Sequence, residues 1–327
     1  MFTDDFIFAV ANVYLRLTNW KLVRSYRRLN GRSLDLARPV RFSERMSWRK
    51  AVDRNPHFEV CSDKLQSKAF VQRVCPDLPL PATLWVGTEA KDIPDELLRQ
   101  DVFVKANHGC GFNFHTRGQP CDRAALTKLS SRWLKTKYGA ATCEWPYFRV
   151  ERKIFVEETI RLDGIGELVE FNIRASNGHA IQGSVLLKAK TPEQWHFYLD
   201  AEGRPTWGMT DSADSIISAS PALADILEPY RQAVTFARRL SQGVDYARYD
   251  FFWNGRTLYG GEITVFPASG FDDPLHPHAN KILLAGWNLL DAHFFRTPPR
   301  GLKGIYAAAL RRHLEKSRAL LQNKPIV

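Results

Sequence analysis

The chain has 327 residues, 44% of them hydrophobic, 12% aromatic and 25% charged, the composition of an ordinary globular protein long enough to bury a sizeable core. No apolar stretch reaches the roughly 20 residues that a membrane-spanning helix requires, and residues 6–17, which follow Asp4 and Asp5 rather than a basic region, read as neither a signal peptide nor a span. The formal net charge is +11, with eleven Lys or Arg against four Asp or Glu in residues 1–50; it suits an anionic partner, and the absence of any helix-turn-helix, zinc-finger or RNA-binding signature argues against nucleic acid.

In chain order, residues 5–30 read as one amphipathic helix, apolar at Phe6, Val10, Val13, Leu17, Trp20 and Val23 and ending in Arg24, Arg27 and Arg28. On charge alone this is a solvated basic face; contact with an anionic membrane is the second reading. Residues 38–48 read as an extended lead-in, a Ser43 N-cap and a helix, and another helix is expected from Ser62 to Val74. Short strands follow at 83–86, 102–105 and 153–157, and Asn107-His108-Gly109-Cys110-Gly111 is a turn with two glycines. Residues 168–175 and 179–188 form a hairpin about Asn177-Gly178, and residues 221–242 a helix capped by Ser220. A second hairpin pairs 247–253 with 257–266 about Asn254-Gly255, and a C-terminal helix covers 302–321. Antiparallel hairpins packed by helices indicate the α+β class. The five cysteines are scattered, which predicts reduced, buried thiols and a cytoplasmic protein.

The chemistry concentrates in the second hairpin. Residues two apart share a face of a strand, so Arg248 and Asp250 face one way, as do Glu262 and Thr264, and pairing across the turn brings Asp250 level with Glu262. Two carboxylates beside an arginine suit a hard cation and a polyphosphate. Any two of these residues alone would be an ordinary charged strand face. Lys64 and Lys68 at the head of a helix, and Lys105 at the end of a buried strand before the glycine turn, add cations for phosphate, and the turn amides add donors. His108, inside that turn, is placed either to touch phosphate or to support the turn. His276-Pro277-His278 lacks a metal-ligand spacing and reads as a loop. The Trp and Tyr residues of 133–147 read as core and lid packing.

Taken in order, several stretches resemble the ATP-grasp superfamily, and more closely the TupA-like ATP-grasp family of cell-surface polysaccharide (teichuronopeptide-type) gene clusters. They are Arg38-Pro39 through Phe42-Ser43-Glu44 to Trp48, Asp63-Lys64, Val104-Lys105-Ala106-Asn107-His108-Gly109, Glu144-Trp145-Pro146-Tyr147, residues 154–158 and residues 259–270. The resemblance implies an ATP-grasp fold: two α+β lobes gripping ATP, with a basic helical extension over 1–60, lobes at 61–155 and 156–295, and a C-terminal helix at 296–327. It implies that Lys64 and Lys105 hold ATP phosphates, with Gly109, Gly111 and His108 in the loop over them. Glu157 and Ile160 would form the adenine hinge with Glu158 beside them, and Glu170 would reach the ribose. Asp250 and Glu262 would bind Mg²⁺ with Thr264 as the third metal-site residue, while Arg248 and Lys105 would act on the transferred phosphoryl group. The chain departs from the family pattern at Thr264, where Asn is usual, and at Glu170-Phe171-Asn172, where Asp-Tyr-Lys is usual; Lys188 or Lys190 would have to replace the lost lysine.

The implied activity is a carboxylate–amine ligase that works through an acyl phosphate, with ATP and Mg²⁺. Its substrates would be an anionic glycan or other carboxylate and an amine, at the cytoplasmic face of the membrane. A kinase acting on a glycan hydroxyl, a glycosyltransferase and a non-catalytic binding protein are the alternatives. The chain lacks the Asp-x-Asp motif expected of the glycosyltransferase.

Overall fold

Strands form where apolar alternation is strictest. In Val102–Ala106 the residues at 102, 104 and 106 are buried and those at 103 and 105 half-buried, so one face enters a core and the other is left to Lys105. The computed structural model describes residues 2–187, 195–209, 223–297 and 299–322. The expected cap Ser220 and the lysines Lys188 and Lys190 lie outside them.

Among the described residues the chain is α+β, with two antiparallel sheets. Strands β1 (Thr83–Gly87), β2 (Val102–Ala106), β3 (Asn113–His115) and β4 (Ile154–Glu158) lie in the order β1-β4-β2-β3. Strands β5 (Val169–Ser176), β6 (His179–Leu187), β7 (Trp195–Leu199), β8 (Ala247–Trp253) and β9 (Leu258–Thr264) lie in the order β7-β6-β5-β8-β9. The α-helices are α1 (Asp4–Thr18), α2 (Trp20–Asn30), α3 (Phe42–Ala51), α4 (His57–Ser62), α5 (Lys64–Val74), α6 (Asp95–Leu98), α7 (Arg123–Lys135), α8 (Leu223–Leu240), α9 (Pro277–Gly286), α10 (His293–Arg296) and α11 (Leu302–Gln322).

Each sheet buries one face and turns the other toward a shared cleft. The smaller sheet packs Val102, Val104, Ile154 and Val156 against Leu126 of α7 and Ala90, Ile93 and Leu98. On the larger sheet Phe171 meets Tyr230 of α8 edge-on, with ring centroids 5.8 Å apart. Gly183 admits the same tyrosine, since a Cβ there would come within 2.6 Å of its hydroxyl.

Several expected boundaries are corrected. The helix over 5–30 is two helices, because Asn19 breaks it: its backbone (φ −120°, ψ 36°) leaves the helical region and its Nδ2 donates to Leu15 O at 2.9 Å. The third helix begins at Phe42 rather than after Ser43. Glu44 accepts from the amides of Val40 and Arg41, both at 3.0 Å, and Ser43 N donates to Asp273 instead. The helix expected from Ser62 starts at Lys64, capped by Asp63, which accepts from Leu65 N and Gln66 N.

Domain limits also shift. Phe8, Phe42, Met46, Trp48 and Phe58 share one core with the five-stranded sheet and with Leu310 and Ala309 of α11. Parts of the expected N-terminal extension and C-terminal helix thus contribute directly to the core of the larger sheet. The expected limit at 155/156 falls inside β4, which pairs with both β1 and β2 and completes the first sheet.

Candidate active site

The cleft is built from short local rules. Lys64 is the first residue of α5, so its side chain leaves the helix beside the Asp63 cap. Asn107, fully buried, holds that helix start in place. Its Nδ2 donates to Asp63 Oδ1 at 3.0 Å and Glu151 O at 2.9 Å, its Oδ1 accepts from Lys153 N at 2.8 Å, and its carbonyl accepts from Lys64 N at 2.8 Å. One amide side chain thus ties helix, turn and β4 together, a role that sequence spacing did not reveal.

Facing the cleft from the smaller sheet, Lys105 Nζ is ion-paired with Glu157 Oε1, and Lys68 Nζ reaches Glu157 Oε2 at 2.5 Å and Pro81 O at 2.6 Å. Lys68, read with Lys64 as a cation for phosphate, is held by Glu157. Its position four residues after Lys64, on the same helix face, was the available signal. Glu157 therefore sits between two ammonium groups.

From the larger sheet comes the paired-carboxylate face. Arg248 donates from Nε and Nη2 to the two oxygens of Asp250 at 2.7 and 2.6 Å, a bidentate pair, and Nη2 also approaches Thr264 Oγ1 at 3.4 Å. Arg248 pairs with Thr264 in register, but Phe251 pairs with Gly260, so an extra residue is accommodated at Gly261. That bulge keeps Glu262 and Thr264 on the face of Asp250. A Cβ on Gly261 would lie 2.8 Å from Asp250 O, which is why glycine occupies it. Lys64 Nζ then spans the cleft to Glu262 Oε1 at 2.6 Å.

Burial works against the Asp250 carboxylate and outweighs the pull of Arg248, raising its pKa. At Glu262 burial also raises the pKa, but Lys64, Lys105 and Arg248 together overcome it and hold it below the ordinary carboxylate value. Half of the Glu262 side chain stays accessible to solvent. Burial opposes the charge on Arg248 as well, yet Asp250, Glu262 and Glu170 keep the guanidinium firmly protonated.

The structure brings Lys64, Lys105, Glu157, Arg248, Asp250, Glu262 and Thr264 to one cleft. Glu170, on β5, is near enough to Arg248 to act on its charge. Gly109 (φ +81°) and Gly111 (φ +75°) adopt left-handed backbone, and a Cβ on Gly109 would lie 2.8 Å from the Tyr138 ring. His108 turns away: its ring is buried, with Nε2 against Trp133 O at 3.2 Å. Glu158 accepts from Ala82 N at 2.8 Å and lines, with Ile160, Tyr259 and Asp101, an open cavity of about 570 Å³. Its neighbour Glu157 points into the cleft instead, so the residues expected at the adenine hinge divide between two spaces. His276 stacks on Trp207 at 3.9 Å rather than joining a metal cluster. Among the described residues no group of three or more His, Cys, Asp or Glu forms a metal site; two carboxylates with substrate phosphates are the set that Mg²⁺ ordinarily takes.

Two antiparallel sheets facing each other across a Lys, Arg and carboxylate cleft are the ATP-grasp architecture. The family model described as TupA-like ATPgrasp matches residues 44–285, and the chain belongs to that family. No curated protein matches it. Among solved structures it is similar to D-alanine–D-alanine ligase from Bacillus anthracis complexed with ATP, at 14% identity over 80% of this chain and 68% of that chain (TM-score 0.37). It is similar also to ATP-grasp ligase PsnB with its minimal precursor, at 14% identity over 83% and 67% (TM-score 0.37). A third is N5-carboxyaminoimidazole synthase from Aspergillus clavatus with ADP and its ribonucleotide, at 10% identity over 77% of this chain and 56% of that chain (TM-score 0.39). Likenesses this distant say nothing about substrate.

Proposed function

We propose that the protein is an ATP-dependent carboxylate–amine ligase that forms an amide through an acyl phosphate, with ATP bound in this cleft. The observation that carries the reading is the Lys64–Glu262 contact at 2.6 Å beside the Arg248–Asp250 pair. It sets a phosphate-binding cation at the head of α5 against a metal-binding carboxylate on β9. Lys64 and Lys105 bind phosphates, Glu157 positions Lys105, and Arg248 steadies charge on the transferred phosphoryl group. Asp250 and Glu262, all-oxygen donors with Thr264 as a neutral neighbour, fit Mg²⁺, which supplies Lewis-acid charge neutralisation when bound. A carboxylate oxygen of the acid attacks the terminal phosphorus as its bond to ADP breaks. The amine then attacks the acyl carbon, phosphate leaves and the amine proton is released. The acid or amine belongs to a bacterial cell-surface glycan or its precursor, a reading supported by the family resemblance and the +11 charge.

The test is ADP release that depends on both an acid and an amine. Asp250→Asn and Glu262→Gln should each cut turnover by about a hundredfold or more while the thermal transition survives. A phosphorylated product without amide would move the reading to a glycan kinase.

We also infer peripheral contact with an anionic bilayer, on one specific observation. Helix α1 buries Phe8 but leaves Phe6, Val10, Val13 and Leu17 at 50–71% exposure along one stripe, joined by Phe2, Tyr14 and Trp20. Lys21, Arg24, Arg27 and Arg28 stand exposed beside it. The acidic residues of α1 are already paired, Asp4 with Arg312 and Asp5 with Arg38, so the stripe presents cations that would repel a second copy and attract anionic lipid. No helix among the described residues is long and apolar enough to cross a membrane. Co-sedimentation with vesicles containing phosphatidylglycerol should be strong, weaker at high salt, and lost in Val13→Glu/Leu17→Glu. Self-association that the same substitutions abolish, without vesicle binding, would overturn the inference.

A further inference from the structure

On the cleft face of the larger sheet, a second guanidinium lies beside Arg248. Arg174 on β5 pairs in register with Arg248 on one side and with Gln182 on the other, and Asn172 pairs with Asp250 one step along. Paired residues on neighbouring strands lie about 5 Å apart, so Arg174 adjoins the residue assigned to the transferred phosphoryl group.

Arg248 is ion-paired with Asp250, whereas Arg174 has no ion pair of its own among the described residues and acts on the Asp250 carboxylate only through space. It is only 7% exposed, its Nη1 has no hydrogen-bond partner, and its guanidinium lies 5.6 Å from the ring of Tyr198. None of the ion pairs among the described residues includes it. Gln182, fully buried, leaves both Oε1 and Nε2 unbonded. A titratable neighbour, His196, has an unbonded buried Nε2 and is pushed down to about 4 by burial and by Arg174. It is neutral and brings no counter-charge. A buried cation without an ion pair, beside a like charge, is destabilising. An anion arriving at Arg174 would remove that cost.

We propose that Arg174, with Asn172 and Gln182 as adjoining donors, forms the subsite that binds the carboxylate of the acid substrate. This rests on the ligase reading and adds to it where the acid sits: one strand over from Arg248, with its oxygen beside the phosphoryl group it must attack. The anion is the acid's carboxylate and not a phosphate of ATP.

Arg174→Met, similar in volume and uncharged, tests this in the full-length protein. Three readouts are expected together. The ligand-free variant unfolds at the wild-type temperature or a few degrees higher, since an unpaired buried charge is gone. Its affinity for Mg-ATP stays within about twofold of wild type. Sodium acetate raises the wild-type unfolding temperature beyond acetamide at matched ionic strength, and that increment disappears in the variant. A variant markedly less stable than wild type would make Arg174 a structural residue and overturn the proposal. A tenfold or greater loss of ATP affinity would assign the subsite to a phosphate and overturn it too, as would an acetate increment absent from wild type or retained in the variant. A wild type that binds no ATP would instead overturn the ligase reading itself.

Discussion

Asp53 shows how a single side chain carries both structure and pH response. It accepts from Phe294 N at 3.0 Å through Oδ1, while Oδ2 is buried without a partner. Burial and the neighbouring Asp245 push it up to about 7, against the pull of Arg49. Because the folded value lies above the unfolded value of about 4, the native state holds a proton that the unfolded chain has lost. The stabilising contribution is fully present below the unfolded value and disappears as pH rises through about 7. Asp53→Asn keeps the acceptor for Phe294 and removes the titration. Denaturant titrations between about pH 4 and pH 8 should show wild type losing stability relative to the variant as pH rises, by on the order of a few kcal/mol. Parallel pH profiles would show that Asp53 does not titrate in this range. The same scale explains what spacing could and could not reveal. Arg248 and Asp250 are two apart on one strand, so their shared face was legible; Asn107 and Lys68 acquire their importance only from partners 44 and 89 positions away.

At the level of elements, the bulge at Gly261 decides the site. The strands at 247–253 and 258–264 follow from β-branched and aromatic alternation about an Asn-Gly turn. Their register alone would not keep Glu262 on the face of Asp250, since a one-residue slip reverses every side chain beyond it. Gly261→Ala, whose Cβ would lie 2.8 Å from Asp250 O, should oppose the bulge, and regular pairing carried on from Phe251 and Gly260 would turn Glu262 and Thr264 to the opposite face. The expected result is loss of Mg-ATP-dependent turnover with near-native far-UV circular dichroism; retained turnover would remove the bulge from the mechanism. Helix limits were less legible for a related reason. Asn19 and Asp63 end or start helices through local side-chain hydrogen bonds, and amphipathic periodicity runs through such points unchanged.

Across the whole molecule, the chain ends close the second lobe. Trp48 Nε1 donates to Tyr306 Oη at 2.9 Å, and that hydroxyl approaches the carbonyl of Ala37 at 3.1 Å. Arg49 reaches Asp245, Tyr246 O and Val265 O from within the same core. Trp48, at the end of the family stretch from Arg38, thus ties α3 to α11, and Arg49 beside it ties α3 to the segment that leads into the strand of Arg248. Leu310→Ala, at a fully buried position of α11, should cost about 2–5 kcal/mol and lower the midpoint of one cooperative denaturation curve. A separate early transition would instead mark the terminal helix as an independent unit.

Local order determined most of what could be read before any contact was known: the α+β class, the hairpins, and the face shared by Arg248 and Asp250, because side-chain periodicity is a property of neighbours in sequence. The ordered motifs pointed to ATP-grasp, and the match over residues 44–285 bears that out. Tertiary structure alone decided that Glu157 lies between Lys68 and Lys105, that Lys64 crosses to Glu262, that His108 faces inward, and that Arg174 stands unpaired beside Arg248. Each depends on register across strands or on contacts between lobes, where charges far apart in the chain meet at hydrogen-bond distance inside a low-dielectric cleft.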